Sequence, residues 1–346
     1  MRQKVTIQDI ADALNISRNT VSKAINGTGT VSKDTKIRIF NKASELGYKQ
    51  FSMLHQDITE TMATQSGYEI ALFTHMALST SHFSSDLLHS FQEQISTLGY
   101  RLSMYTIQDD LISQRKLPAN FNHEATVGII IIEMFSEEYT DYLCSLDIPT
   151  LFIDTFANTH RKPIASDVLY MENRNSSYLM TSALIAGGFR KAGFAGDCLH
   201  CHSFYERWLG YCDAMQEYSI DNYKDYCFLE NDNLPYTDPD LLASKLKALP
   251  HLPDVFICAN DYIAVDMIRA LKSMGLSIPG DIRITGFDNS AESRIIDPPL
   301  TTADIPGDSM GHMAANLLLS RMQHPEMSYR IVYAQTKVIT RASTEI

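Results

Sequence analysis

From Tyr68 onward the sequence alternates between two kinds of segment. "EIALF", "YRLSMY", "VGIIII", "TLFID", "KAGFAG", "DVFICAN" and "DIRITGF" are short apolar runs of strand character. Between most of them lie amphipathic stretches with helical periodicity: "SSDLLHSFQEQISTLG", "YLMTSALIAGG", "FYERWLGYCDAM", "DPDLLASKLKAL" and "YIAVDMIRALKSMG". Strand and helix in alternation predict parallel sheets with helices on both faces. The alternation continues for longer than one such sheet needs, so two lobes are expected.

Ligands of parallel α/β sheets bind beyond the carboxyl ends of the strands. The residues predicted there form a coherent set. Asp154 follows "TLFI", Asn260 and Asp261 follow "VFICA", and Asp288 follows "RITGF". Arg207 lies near the start of a helix, and Phe83, Phe204, Trp208 and Phe287 fall close by in sequence. Carboxylates, amides and an arginine can match the hydroxyls of a sugar, while aromatic rings stack on its C–H face. Any one Asp or Asn at a strand end can equally be a helix N-cap; it is the alignment of several strand ends that points to a site.

Ahead of this body sits a different kind of sequence. Thr6 to Asp9 has the form of a capping box, and Ile7, Ile10, Ala11 and Leu14 then recur on one helical face. Asn15 ends that helix and Ser17 caps a second, in which Val21, Ala24 and Ile25 face inward with Leu14 and Ile16. After "NGTGT", Ser32 starts a third helix with Ile39, Phe40, Ala43 and Leu46 inward and Gly47 at its end. Two short helices joined by a tight turn and braced by a third make a helix-turn-helix.

The outer face of the second helix is made of donors. Arg18 can give two hydrogen bonds to guanine and Asn19 can pair with adenine in a major groove. Lys23 lies about one turn further along. Thr6, Ser17, Thr20, Ser22, Asn26, Ser32 and Thr35 supply groups suited to phosphate oxygens. Charge agrees with this. Residues 1–50 hold nine basic and four acidic side chains, a formal +5, whereas the remainder carries 20 basic and 37 acidic ones, a formal −17. A small basic head on an acidic body points to a polyanionic partner for the head alone.

The head resembles that of the LacI/GalR family of bacterial repressors. The elements that carry the resemblance are Val5-Thr6-Ile7, Asp9-Ile10-Ala11, Ser17, Thr20-Val21-Ser22, Asn26, Val31-Ser32, Thr35 and Leu46-Gly47-Tyr48. Lys23 departs from the arginine usual there. The body is similar to the effector domain of the same family over "CANDYIAVDMIRALKSMGLSIPGDIRITGFDN" and in the motif Arg207-x-x-Gly210-Tyr211. The resemblance implies a helix-turn-helix head and a two-lobed α/β body like that of periplasmic sugar-binding proteins. It places the DNA-binding domain at 1–50, a linker at 51–67 and an effector-binding and dimerisation domain at 68–346. Lobe one is then 68–163 and 290–325, and lobe two 164–289 and 326–346. It also implies effector contacts from Phe83, Asp154, Arg207, Asn260, Asp261 and Asp288.

The family's linker carries a hinge helix whose leucine wedges into the minor groove. Here Met53 or Leu54 is the wedge candidate, but the proline and arginine of the family pattern are missing, and a flexible linker is the alternative.

Other signals are weak. "CLHCH" places Cys198, His200, Cys201 and His202 together, but no second ligand pair follows, so no metal is expected. There is no G-x-S-x-G, H-E-x-x-H or full dinucleotide fingerprint, and neither an enzyme nor a cofactor is expected. No apolar run reaches membrane-spanning length and the N-terminus lacks a secretory h-region, which predicts a cytoplasmic chain without a membrane partner.

The expectation is a homodimeric transcription regulator that reads a pseudo-palindromic DNA operator and responds to a small carbohydrate. A nucleobase or another metabolite is the alternative effector; a solute-binding protein or enzyme with a DNA-binding head is the alternative class. If Arg18 reads a base, Arg18→Ala costs about 1–3 kcal/mol of discrimination between operator and random duplex. Competition binding at fixed salt checks this, and equal losses on both duplexes contradict base reading at Arg18.

Overall fold

The computed structural model describes residues 5–25, 31–32, 35, 38–39, 42, 68–75, 82–231, 236 and 238–345, without the side chains of Ile25 and of residues 82–84. The head and the α/β body from Glu69 onward are separate compact units and are taken in turn.

In the head, α1 (Ile7–Leu14) begins at a full capping box. The Thr6 hydroxyl accepts from the Asp9 amide, and the Asp9 carboxylate accepts from the Thr6 amide at 2.7 Å. Asn15 ends α1 in the left-handed conformation (φ 52°), which asparagine tolerates. Ser17 caps α2 (Arg18–Ile25) by accepting from the Thr20 amide at 3.0 Å. Ile10, Ala11, Val21, Ala24 and Ile39 are buried together, with Leu14 and Ile16 packed against them. Residues 35, 38, 39 and 42 are helical, as the third-helix reading requires, and the Thr35 amide donates to Ser32 Oγ at 3.3 Å. Phe40, Ala43, Leu46 and Gly47 lie outside the described residues.

The body opens with β1 (Glu69–Thr74), α3 (His82–Thr97), β2 (Arg101–Thr106), α4 (Asp109–Gln114), β3 (Thr126–Ile132), α5 (Glu137–Cys144) and β4 (Thr150–Ile153). β5 (Asp167–Met171), α6 (Arg174–Ala186), β6 (Ala192–Ala195), α7 (His202–Glu217), α8 (Pro239–Ala248), β7 (Val255–Cys258), α9 (Asp261–Ser273) and β8 (Arg283–Thr285) follow. α10 (Ala291–Ile295), β9 (Thr302–Asp304), α11 (Gly307–Gln323), β10 (Ile331–Ala334) and β11 (Lys337–Ile339) complete it.

Two parallel sheets result, one of six strands in the order β10-β5-β4-β3-β1-β2 and one of three in the order β6-β7-β8. A strand buried on both faces must be apolar at every position. The central residues of β1 and β3 obey this: Ile70, Leu72, Ile130 and Ile132 pack beneath α3 and α11, while Ala71, Phe73, Ile129 and Ile131 join α5 on the opposite face. The three-stranded sheet shares a core with residues of α6, α7, α8 and α9.

The division of the chain between the sheets corrects the boundaries expected from sequence. β5 and β10 belong to the six-stranded sheet, although residues 164–171 and 326–346 were assigned to lobe two. A buried ion cluster explains the difference. Asp167, fully buried at the start of β5, accepts from Arg321 Nη2 at 2.9 Å and from the amide and Nη2 of Arg330 at 2.7 and 2.6 Å. Burial works against the Asp167 carboxylate, but the arginine hydrogen bonds outweigh it and the net shift is downward. Asp167 thus fastens the end of α11 and the start of β10 to β5. β11 instead pairs antiparallel with β9 in a separate two-stranded sheet.

Candidate functional site

On the head, the structure sorts the expected DNA contacts into two sets. Thr6, Ser17 and Ser32 serve as caps, and the hydroxyls of Ser17 and Ser32 also bond those of Thr20 and Thr35 at 2.7 and 2.8 Å. Arg18, Asn19 and Lys23 are exposed on α2, and Ser22 is half-buried there. The helix therefore presents one guanidinium, one amide and one ammonium to its surroundings. Asn26, Met53 and Leu54 lie outside the described residues.

In the body, the carboxyl ends of β4 and β5 meet the first turn of α7. The His202 amide donates to the Thr155 carbonyl at 2.8 Å, and the Ser203 amide donates to Asp154 Oδ1 at 3.3 Å. Asp154 sits at φ 62° just past β4 and also accepts from the Thr155 amide at 2.8 Å. A carboxylate beside the exposed amides of a helix N-terminus is favourably placed.

Arg207 is the centre of this region and is 4% exposed. Its Nε donates to Asn173 Oδ1 at 2.9 Å, and Nη1 donates to the Ala259 carbonyl at 2.7 Å while lying 3.4 Å from Asp288 Oδ1. The guanidinium carbon stands 3.7 Å from the centre of the Phe287 ring. Among the described residues, Nη2 finds only the thioether of Met171, at 3.7 Å. A strong charged donor therefore faces a weak acceptor.

The motif around Arg207 has a structural cause at each position. A Cβ on Gly210 would come within 2.1 Å of the Arg174 carbonyl oxygen, so glycine lets α7 lie close against α6. Tyr211 is fully buried, and its hydroxyl donates to the Ala192 carbonyl at 2.7 Å, locking α7 onto the start of β6.

The other expected contacts divide. Asp288, at φ 112° after β8, faces Arg207. Asn260 caps α9 by accepting from the Ile263 amide at 3.0 Å, and its neighbour Ala259 holds Arg207 through the carbonyl. Asp261 departs from the expectation. It is 1% exposed, and its two oxygens accept from the Ser290 amide at 2.7 Å and the Thr302 hydroxyl at 2.6 Å. It braces the loop after β8, where a Cβ on Gly286 would meet Asp261 Oδ1 at 2.2 Å. Trp208 likewise packs among Phe194, Tyr211 and Tyr223 of the core rather than beside Arg207. Phe83 falls within α3, and its side chain is outside the described residues.

Several participants carried no sequence assignment. Asn173 is fully buried and holds Arg207. Glu206 lies 3.4 Å from His202 Nε2 and accepts from Tyr333 Oη at 3.3 Å. The His202 ring stacks on Tyr170 with centroids 4.3 Å apart. His202 and Glu206 are four residues apart on one helix, a spacing visible in the sequence; Asn173 stands with Glu172 where the LacI/GalR resemblance has an Asp-Asn pair, and nothing local marks Tyr333. Among the described residues, no group of three or more metal-ligating side chains converges. In "CLHCH", Cys201 caps α7 through its sulfur and His200 packs against Phe135 and Phe204. Also among the described residues, no helix is long and apolar enough to cross a membrane.

Both parts match known families. Residues 6–50 match the family described as bacterial regulatory proteins, lacI family, and residues 181–344 match a periplasmic binding protein-like domain. The head thus carries a lacI-family domain and the body a periplasmic binding protein-like domain, the pairing that the resemblance to the LacI family implies. The proteins it is similar to are DNA-binding transcriptional regulators rather than enzymes.

A relative, the HTH-type transcriptional repressor PurR of Aliivibrio salmonicida (strain LFI1238), is 26% identical over 342 residues, 98% of each chain. The fold is similar to that of a transcriptional regulator CelR–cellobiose complex, with a TM-score of 0.68, 19% identity and coverage of 98% of this chain and 100% of that one. It is also similar to that of the lac repressor dimer bound to operator and the anti-inducer ONPF, with a TM-score of 0.65, 20% identity and coverage of 99% of each.

One electrostatic feature of the Arg207 region is testable by pH. Burial raises the Asp288 carboxyl to about 7; Arg207 opposes the rise, and the carboxylates of Asp261 and Glu133 add to it. The folded chain then holds this proton more tightly than the unfolded chain, where aspartate titrates at about 3.9. Ionising Asp288 accordingly lowers stability progressively from about pH 4 to about pH 7. In Asp288→Asn that loss is removed, so the melting temperature of the variant relative to wild type climbs through the window and levels off above it. A difference that stays flat with pH contradicts the raised carboxyl.

Proposed function

We propose that this chain is a homodimeric repressor whose hold on a pseudo-palindromic operator is set by a small polyhydroxylated effector bound at Arg207, Asp288 and Asp154. The observation that carries the reading is the state of Arg207. A buried guanidinium keeps one nitrogen against a thioether while the Asp288 carboxyl group stands 3.4 Å from another. A ligand hydroxyl can accept from such an arginine and donate to such a carboxylate, and so improves both environments at once.

In this reading residues 1–50 are the DNA-binding domain, with Arg18, Asn19 and Lys23 toward base edges. Residues 51–67 are the linker and 68–346 the effector-binding and dimerisation domain. Likeness of fold to a regulator complexed with cellobiose supports a carbohydrate, and likeness to an operator-bound dimer supports the two-fold arrangement. The second reading is a nucleobase, which the relatives named PurR favour.

A thermal-shift screen of mono- and disaccharides beside purine and pyrimidine bases separates the two. A ligand at about 100 times its Kd stabilises the native state by about 2.7 kcal/mol. The proposal expects a sugar among the hits, with the shift lost in Asp288→Ala while that variant still binds operator. A response confined to the bases selects the second reading. A full response in Asp288→Ala contradicts the assignment of the site.

A further inference from the structure

The hydrogen bonds behind Arg207 continue past it. Asn173 Oδ1 accepts from Arg207 Nε, so its Nδ2 is the donor end of the amide. Nδ2 meets three acceptors: the Met171 carbonyl at 2.8 Å, Ser203 Oγ at 3.2 Å and Glu206 Oε2 at 3.3 Å. A carboxylate can only accept, whereas a hydroxyl can adapt to either end of an amide. The Met171 carbonyl and the Glu206 carboxylate can both only accept, so together they fix which way Asn173 presents itself to Arg207, and Glu206 is the charged member of the two.

Glu206 has two other neighbours, on Oε1. Tyr333, on β10 of the six-stranded sheet, donates through Oη at 3.3 Å, and His202 Nε2 lies 3.4 Å away. The other face of His202 is bound to the six-stranded sheet. Nδ1 pairs with Thr159 Oγ1 at 3.0 Å, the ring stacks on Tyr170, and Tyr170 Oη pairs with Thr155 Oγ1 at 2.7 Å. One continuous run of contacts thus leads from the Thr155–Thr159 loop through His202, Glu206 and Asn173 to Arg207 and Asp288. It crosses from one sheet to the other.

We propose that Glu206, with His202 as its partner, is the positioning pair for the effector arginine, fixing the Asn173 amide that receives Arg207 and tying α7 to the loop after β4. The name "effector arginine" rests on the reading of Arg207 above; the positioning itself does not. Both side chains are mostly buried, at 13% exposure for His202 and 16% for Glu206, so their contacts are shielded from screening by water. Burial works against a charged His202, but Glu206 outweighs it, helped by Asp154 and the Ala157 backbone, and the net shift is upward. Facing the imidazole are Glu206 on its own helix, Asp154, Thr155 and Thr159 from the loop after β4, Tyr170 from β5, and Tyr333 from β10 across Glu206.

The test uses the full-length chain without ligand, labelled with ¹⁵N at arginine and, separately, at histidine. Two quantities are read: the titration of the His202 ring and the solvent exchange of the Arg207 Nε–H, with Arg207→Lys identifying that signal. In Glu206→Gln the His202 titration is expected to fall by about one pH unit or more, a tenfold change in proton affinity, because burial remains and the partner charge is gone. Arg207 Nε–H exchange is expected to accelerate about fivefold or more, the equivalent of one lost hydrogen bond.

Should Glu206→Gln fail to fold, His202→Gln carries the same exchange measurement. Tyr333→Phe removes a neutral donor from the same oxygen and is expected to leave Arg207 exchange within about twofold of wild type. Unchanged Arg207 exchange in Glu206→Gln and His202→Gln overturns the proposal, as does equal loosening by Tyr333→Phe. An Arg207→Ala protein that still binds the effector would remove the effector reading and leave this result standing.

Discussion

A guanidinium that cannot lose its proton is buried where the carboxyl ends of several strands converge, and the body is arranged around satisfying it. An unmatched buried cation costs several kcal/mol, so each of its neighbours is held in place by that requirement. The Arg207 partners come from the segments just after β5, β7 and β8: Asn173, the Ala259 carbonyl, and Asp288 with the Phe287 ring. Gly210 and Tyr211 set the height and tilt of the helix that delivers it. Because the partners follow strands of both sheets, a change in what Arg207 binds is felt in both. That is the property the proposed effector site needs.

Much of this was legible before any coordinates. Helical caps are local, so Thr6, Asn15 and Ser17 announce α1 and α2 by themselves. Doubly buried strands such as "VGIIII" stand out because every position must be apolar. Arg207 and Asp288 were placed by a motif and a strand end, and the fold brings them together. Asp261 shows the limit of that logic. It follows a strand end one residue after Asn260, yet its partners Ser290 and Thr302 are 29 and 41 residues away, and nothing near it in sequence reveals them. The same holds for Asp167, whose arginines lie more than 150 residues downstream and carry β5 and β10 into the first sheet. Trp208 was misplaced because an aromatic one residue after Arg207 on a helix points away from it, into the core.

The charge distribution gives the two parts different tasks. A head of +5 is drawn to a polyanion, and the remainder of the chain, at −17, is repelled by it, which favours contact through the head and limits non-specific attachment elsewhere. In the proposed mechanism an effector can alter operator affinity only by as much as its own affinity differs between the two states of the body. The contact chain through Glu206 and His202 is where such a difference can be stored, since those residues link the sheets without occupying the site.

Reciprocity tests the central claim most directly. With an operator selected from a random duplex library by the full-length chain, and a ligand selected by thermal shift, each dissociation constant is measured in the absence and in saturating presence of the other molecule. Effector binding at Arg207 that governs DNA release or recruitment predicts that both constants change, and by the same factor. A ligand that binds at Arg207 and leaves operator affinity unaltered would contradict the account.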